Sequence, residues 1–133
     1  MGGLKFGYQN LEVSILAKNL IKEVYYFTNK FPPSEMYGIT NQIRRSVVSV
    51  ALNIAEGSGK KSFLDFNKYI RISIGSLIET NCALEISLEL GYLKKDDFET
   101  SQTKIQPLYF KLISLSKYLI NNKSKDKSPV QAL

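Results

Sequence analysis

Gln42-Ile43-Arg44-Arg45-Ser46-Val47-Val48-Ser49-Val50-Ala51-Leu52-Asn53-Ile54-Ala55-Glu56-Gly57 is the stretch whose periodicity settles the fold. On a helical wheel of about 100° per residue, Ile43, Val47, Val50 and Ile54 fall on one face. Val48, Ala51, Leu52 and Ala55 widen that face well beyond what one core contact needs. The remaining strip holds Gln42, Arg45, Ser46, Ser49, Asn53 and Glu56, three or four residues apart and mostly small or uncharged. A helix apolar on two sides is usually buried on two sides. Either the segment is sunk deep in one bundle, or its extra apolar surface meets another copy of the chain. The second reading is preferred, and a two-fold dimer is the commonest symmetry.

Working outward, the preceding segment repeats Val13, Leu16/Ala17, Leu20, Val24, Phe27 and Phe31 at helical spacing. Pro32-Pro33 stops it, because proline lacks the amide donor and restrains the residue before it. Ser34 is the expected N-cap of segment two, with Glu35 in its first turn, so that segment is read from about Glu35 to Glu56. Gly57-Ser58-Gly59 should end it through a left-handed glycine. Ser62 and Asp65 form a Ser-x-x-Asp capping pattern opening segment three, which carries Phe63, Phe66, Ile70, Leu77, Leu84 and Leu88 up to Gly91. Segment four follows Asp96, Asp97 and Glu99 with Phe98, Ile105, Leu108, Leu112, Leu115 and Leu119, and Pro107 should bend or break it. No strand-like alternation of useful length occurs. Connections of about 3–7 residues favour antiparallel neighbours, so the expected fold is all-α, an up-down-up-down antiparallel four-helix bundle. Residues 1–122 form that one domain and residues 123–133 a basic tail.

Composition narrows the function. No apolar run approaches the ~18–20 residues of a membrane span. Met1-Gly2-Gly3-Leu4-Lys5 lacks the apolar core of a secretory signal, and Phe6 stands where a myristoylation site wants Ser or Thr. The single cysteine, Cys82, cannot form an internal disulfide, which fits a reducing cytoplasm. Histidine is absent, which removes Ser-His-Asp and Cys-His catalysis, the zinc helix motif and the Glu-x-x-His pairs of di-iron bundles. No catalytic residue, metal or cofactor is expected. The net charge of +6 makes an anionic partner plausible without requiring one.

Individual motifs have plain alternatives. Gly57-Ser58-Gly59-Lys60-Lys61-Ser62 resembles the end of a P-loop, yet Ile54 stands where the first glycine belongs and Lys61 where Ser or Thr must follow the lysine. The loop could still hold phosphate through Lys60, Lys61 and the next helix N-terminus, although a glycine-serine turn with solvated lysines is commoner. Glu85 and Glu89 read as an exposed acidic stripe and Cys82 as a packed thiol. Tyr25, Tyr26 and Phe27 could stack on bases, though one or two of them belong to the core. Gly75, between Ser73 and Ser76, would let another helix come close. Its neighbour Glu79 is expected to pair with Arg44 or Arg45.

Taken together, Phe31-Pro32 with Glu35, Tyr37-Gly38-Ile39, Gln42-Ile43-Arg44-Arg45-Ser46, and Ser49 through Asn53-Ile54-Ala55-Glu56-Gly57 form a specific pattern. With Phe66, Gly75-Ser76, Glu79 and Leu90-Gly91-Tyr92-Leu93 it resembles the 23S ribosomal RNA intervening-sequence protein family, over roughly residues 6–120. The resemblance implies a four-helix bundle assembling into a ring-like homopentamer, which replaces the dimer expectation. A relative, the accessory protein of diversity-generating retroelements, is similar in fold and works with a reverse transcriptase and nucleic acid. The shared polar positions are Gln42, Arg44, Arg45, Ser49, Asn53, Glu56, Ser76 and Glu79. Lys60 stands where the family often has arginine, keeping charge and losing the fork geometry; Asn81 and Pro107 also depart from the pattern.

The leading expectation is therefore a homo-oligomeric binding module that contacts RNA or DNA by phosphate neutralisation through Arg44, Arg45, Lys60 and Lys61. Lys18, Lys22, Lys104, Lys111 and the tail lysines would form a secondary surface. The rival is a protein–protein scaffold in which Gln42, Ser49, Asn53, Glu56, Ser76 and Glu79 are purely structural.

Overall fold

In the computed structural model, which describes Leu4 and residues 6–124, four helices follow one another: α1 (Glu12–Thr28), α2 (Ile39–Ser58), α3 (Phe63–Glu89) and α4 (Lys95–Asn121). Short 3-10 turns at Gly7–Asn10 and Pro33–Glu35 precede α1 and α2. The order is up-down-up-down: each helix packs against its sequence neighbours, and α1 against α4 closes the bundle. Among the described residues there is no strand, and no helix is long and apolar enough to cross a membrane. The readings of residues 1–3, of Lys5 and of the tail beyond Ser124 lie outside the described residues.

The core is the set of stripes read from the periodicity. Leu20 and Val24 of α1, Ile43, Val47, Val50 and Ile54 of α2, Phe63, Phe66, Ile70, Leu77 and Leu84 of α3, and Leu108, Leu112 and Leu119 of α4 are all fully or almost fully buried. Each large apolar side chain so placed stabilises the fold by about 1.5–3 kcal/mol relative to exposure. Leu88, Phe98 and Leu115 are half-buried at the margins.

Helix ends follow local chemistry, with two departures from expectation. Ser62 caps α3, its hydroxyl accepting from the Asp65 amide at 3.1 Å. Gly91, at φ 79°, closes α3 in a Schellman motif: its amide donates to the Leu88 carbonyl and that of Tyr92 to Ser87. The start of α2 differs, because Ser34 and Glu35 belong to the preceding 3-10 turn and the helix begins at Ile39. Glu35 still caps it, reaching forward so that its carboxylate accepts from the Ile39 amide at 3.4 Å, while the Tyr92 hydroxyl donates to its other oxygen at 3.1 Å. That contact and the negative charge hold the Tyr92 hydroxyl above its ordinary pKa.

At its other end α2 runs through Gly57 and Ser58, and Gly59 has φ −85°, so no left-handed glycine ends it. Gly57 is glycine for a different reason: an added Cβ would lie 2.7 Å from Tyr69 Cβ and 2.9 Å from a Phe66 ring carbon. It marks the closest approach of α2 to α3. Helix α4 is one continuous element through Pro107, which is exposed and, lacking an amide hydrogen, takes one bond out of the helix ladder.

Candidate functional site

The polar strip of α2 lies along the seam with α3. The hydroxyls of Ser46 and Thr80 meet at 2.8 Å and those of Ser49 and Ser76 at 2.9 Å. Ser73 donates to the Val50 carbonyl at 2.8 Å, and the Asn53 amide donates to the Ser49 carbonyl and hydroxyl, both at 2.9 Å. At one end of this ladder the Gln42 amide donates to the Glu79 carboxylate, the role expected of Arg44 or Arg45. Small residues do this because a hydroxyl reaches only when two helix backbones come close. Gln42, Ser49, Asn53, Ser76 and Glu79 are thereby brought together; Glu56 lies outside the ladder, exposed and paired with Lys60.

The four cations read as nucleic-acid contacts have separate environments. Arg44 turns toward α1: its Nε donates to Thr28 Oγ1 at 2.9 Å and its Nη2 to Asn29 Oδ1 at 3.0 Å. Its guanidinium also lies 4.5 Å from the centre of the Tyr25 ring. The adjacent Arg45 projects about 100° around the helix from it, exposed, with no hydrogen bond or ion pair among the described residues. Lys60 lies 3.6 Å from Glu56 and over the Tyr69 ring, whereas Lys61 is exposed with no ion pair among the described residues. Of the secondary set, Lys104 pairs with Glu23, Lys111 with Glu12, and Lys18 sits over Tyr8; Lys22 has no such partner among the described residues.

Arg45 stands on a ridge between two grooves. On one side Gln42, Ser46, Ser49, Ser76 and Glu79 line a polar cleft of about 340 Å³. On the other, a shallow depression of about 560 Å³ is lined by Tyr25, Met36, Val48, Leu52 and Asn53 together with both arginines. Leu52 is 63% exposed there, and Tyr37 in the turn before α2 is 95% exposed. The two-sided apolar character of α2 thus divides: one side fills the core and the other faces outward. Tyr26 is exposed and Tyr25 partly so, while Phe27 alone of the three enters the core. Cys82, expected to be packed, is exposed on the outside of α3. Among the described residues no three Cys, Asp or Glu side chains gather as a metal-holding group, Glu85, Glu89, Asp96 and Asp97 included.

Fold and surface together define a helical bundle whose polar seam is satisfied internally and whose second helix keeps an apolar outer face. The chain belongs to the 23S rRNA-intervening sequence protein family, which it matches over residues 9–114. It is similar in fold to a crystal structure of a protein of unknown function from the S23 ribosomal protein family of Bacteroides thetaiotaomicron. That likeness has a TM-score of 0.71 and 24% identity, covering 79% of this chain and 98% of that one. No curated protein matches the chain.

Proposed function

We propose that this chain is a self-assembling helical module, a homo-oligomer whose copies meet on the outer face of α2 and, as the family resemblance implies, a pentamer. The observation that carries this reading is Leu52. It is 63% exposed beside Met36 and Val48, on a helix already packed against α1 and α3. Burying that face against a second copy recovers roughly 25 cal/mol for each Å² of apolar surface. Arg45 at the rim, without a hydrogen bond or ion pair among the described residues, then orients the contact. The ladder from Gln42 to Asn53 supports a structural role for the polar family positions, because most of those groups are hydrogen-bonded within one subunit. Leu52→Glu tests the reading: exposed in the subunit, it leaves the helical circular dichroism unchanged, and sedimentation should show the assembly falling to lighter species. An unchanged mass would remove α2 from the interface.

A second reading, contact with RNA or DNA, is favoured by Lys22, Arg45 and Lys61, which carry no carboxylate partner among the described residues, on a chain of net charge +6. Anisotropy of a labelled RNA stem-loop and a DNA duplex should then show binding that weakens steeply with salt, and further when Lys61 becomes Glu. No binding at low salt would leave self-assembly as the whole function.

A further inference from the structure

The outer face of α3 carries a second unpartnered surface, independent of α2. Arg71, Gly75, Ile78, Cys82, Glu85 and Glu89 are all exposed and follow one another at intervals of four and three residues. Such spacing lines up one narrow seam along a helix, the pattern through which two helices pack side by side. Ile78 at its middle is 54% exposed, and beside it a groove of about 520 Å³ between α3 and α4 is lined by Asn81, Tyr109 and Phe110, the last 65% exposed.

Two features identify what covers this seam. Gly75 sits mid-helix, where glycine costs about 1 kcal/mol relative to alanine, yet a Cβ built there meets nothing within 4 Å. Packing inside the subunit therefore does not require glycine, whereas a missing Cβ on an exposed face lets a helix from outside come close. The seam's charge also reverses along its length. Arg71 lies before the apolar centre, Glu85 and Glu89 after it, and none of the three has an ion pair among the described residues.

We infer that α3 pairs with α3 of a second copy, antiparallel, about a two-fold axis near Ile78. In that arrangement Ile78 packs on its own counterpart and Gly75 lies opposite Cys82 of the second copy. Arg71 meets Glu85 of that copy, with Glu89 one turn further on. The Arg71–Glu85 pair forms twice because the contact is isologous. Parallel pairing would set Arg71 against Arg71 and Glu85 against Glu85. A sequence that is basic, then apolar with a glycine, then acidic is complementary only to its own reverse.

Disulfide trapping tests the geometry directly. In a Cys82→Ser background, Ile78→Cys should cross-link to a covalent dimer under mild oxidation. Arg71→Cys alone should not, since its two copies would lie about 21 Å apart along the helices. Mixing Arg71→Cys with Glu85→Cys chains should restore cross-linking. In solution, Arg71→Glu should weaken the α3 contact at least about tenfold, the loss of close charge pairs, and adding Glu85→Arg should restore it. All these positions are exposed, so circular dichroism separates a broken contact from a broken fold. The Leu52→Glu background should still pair through α3, which keeps this contact distinct from the one on α2. An Ile78→Cys chain that stays monomeric on oxidation, or an Arg71→Glu chain that sediments as wild type, overturns the inference while leaving assembly through α2 standing.

Discussion

The α2–α3 seam and the α1–α4 seam close the same bundle with opposite chemistry. Between α2 and α3 the contacts are short-range, hydroxyl to hydroxyl at 2.8 and 2.9 Å with only the Gln42–Glu79 contact at one end involving a charge, and Gly57 lets the backbones approach until one extra carbon would not fit. Between α1 and α4 they are long charged side chains, Lys104 to Glu23 at 3.4 Å and Lys111 to Glu12 at 3.2 Å, with Lys30 to Asp97 at the end of α1. Short polar groups fix the distance between two helices; long ionic ones tolerate a range of distances. Burial within the ionic seam is also uneven. Glu23 is 13% exposed with its Oε1 buried and unpartnered, and burial raises its pKa while Lys104 lowers it only in part. The difference implies one rigid seam and one that adjusts.

Substitutions can break that contrast. The largest effect is expected in the rigid seam: Gly57→Ala drives a Cβ into Tyr69 and Phe66 and should cost about 2–3 kcal/mol in urea unfolding at fixed protomer concentration. A loss under about 0.5 kcal/mol there would show α2 and α3 free to move apart. Lys104→Met comes next, at about 1–2 kcal/mol, because it leaves Glu23 a mostly buried carboxylate without its cation. Glu23→Gln sharpens this through pH. A carboxyl whose folded pKa is raised contributes stability below its unfolded value and loses it as pH rises through the folded one. The melting temperature of Glu23→Gln minus that of wild type should therefore climb as pH is raised from 4 to neutrality, and a flat difference would contradict the buried-carboxyl account. Smallest is Lys111→Met, whose exposed pair with Glu12 is worth at most about 0.5 kcal/mol.

Much of the bundle was legible in the sequence because helix period, Pro32-Pro33, Ser62 and Gly91 are local signals. The start of α2 was not, since Ser34-Glu35 reads as a cap while a 3-10 turn intervenes and Glu35 reaches Ile39 from outside the helix. Gly57 misled similarly: its requirement comes from Tyr69, twelve residues on, and from no left-handed turn. Within the candidate site, the polar strip was legible as a strip and its partners on α3 were not. Gln42 takes Glu79 where an arginine was expected, because register between helices decides which side chain arrives. Arg44 and Arg45 look interchangeable in sequence, yet one is spent on Tyr25, Thr28 and Asn29 and the other has no partner among the described residues. The excess apolar width of segment two points to an outward Leu52, but exposure of Ile78 and Cys82 was out of reach, since an apolar residue off the core stripe carries no mark of what covers it.

Sedimentation equilibrium of the wild-type chain across a range of concentrations tests the central claim, self-assembly through outer helix faces, most directly. The account predicts species several times heavier than the 15.1 kDa subunit, dissociating only on dilution. A single 15.1 kDa species at every concentration would contradict it.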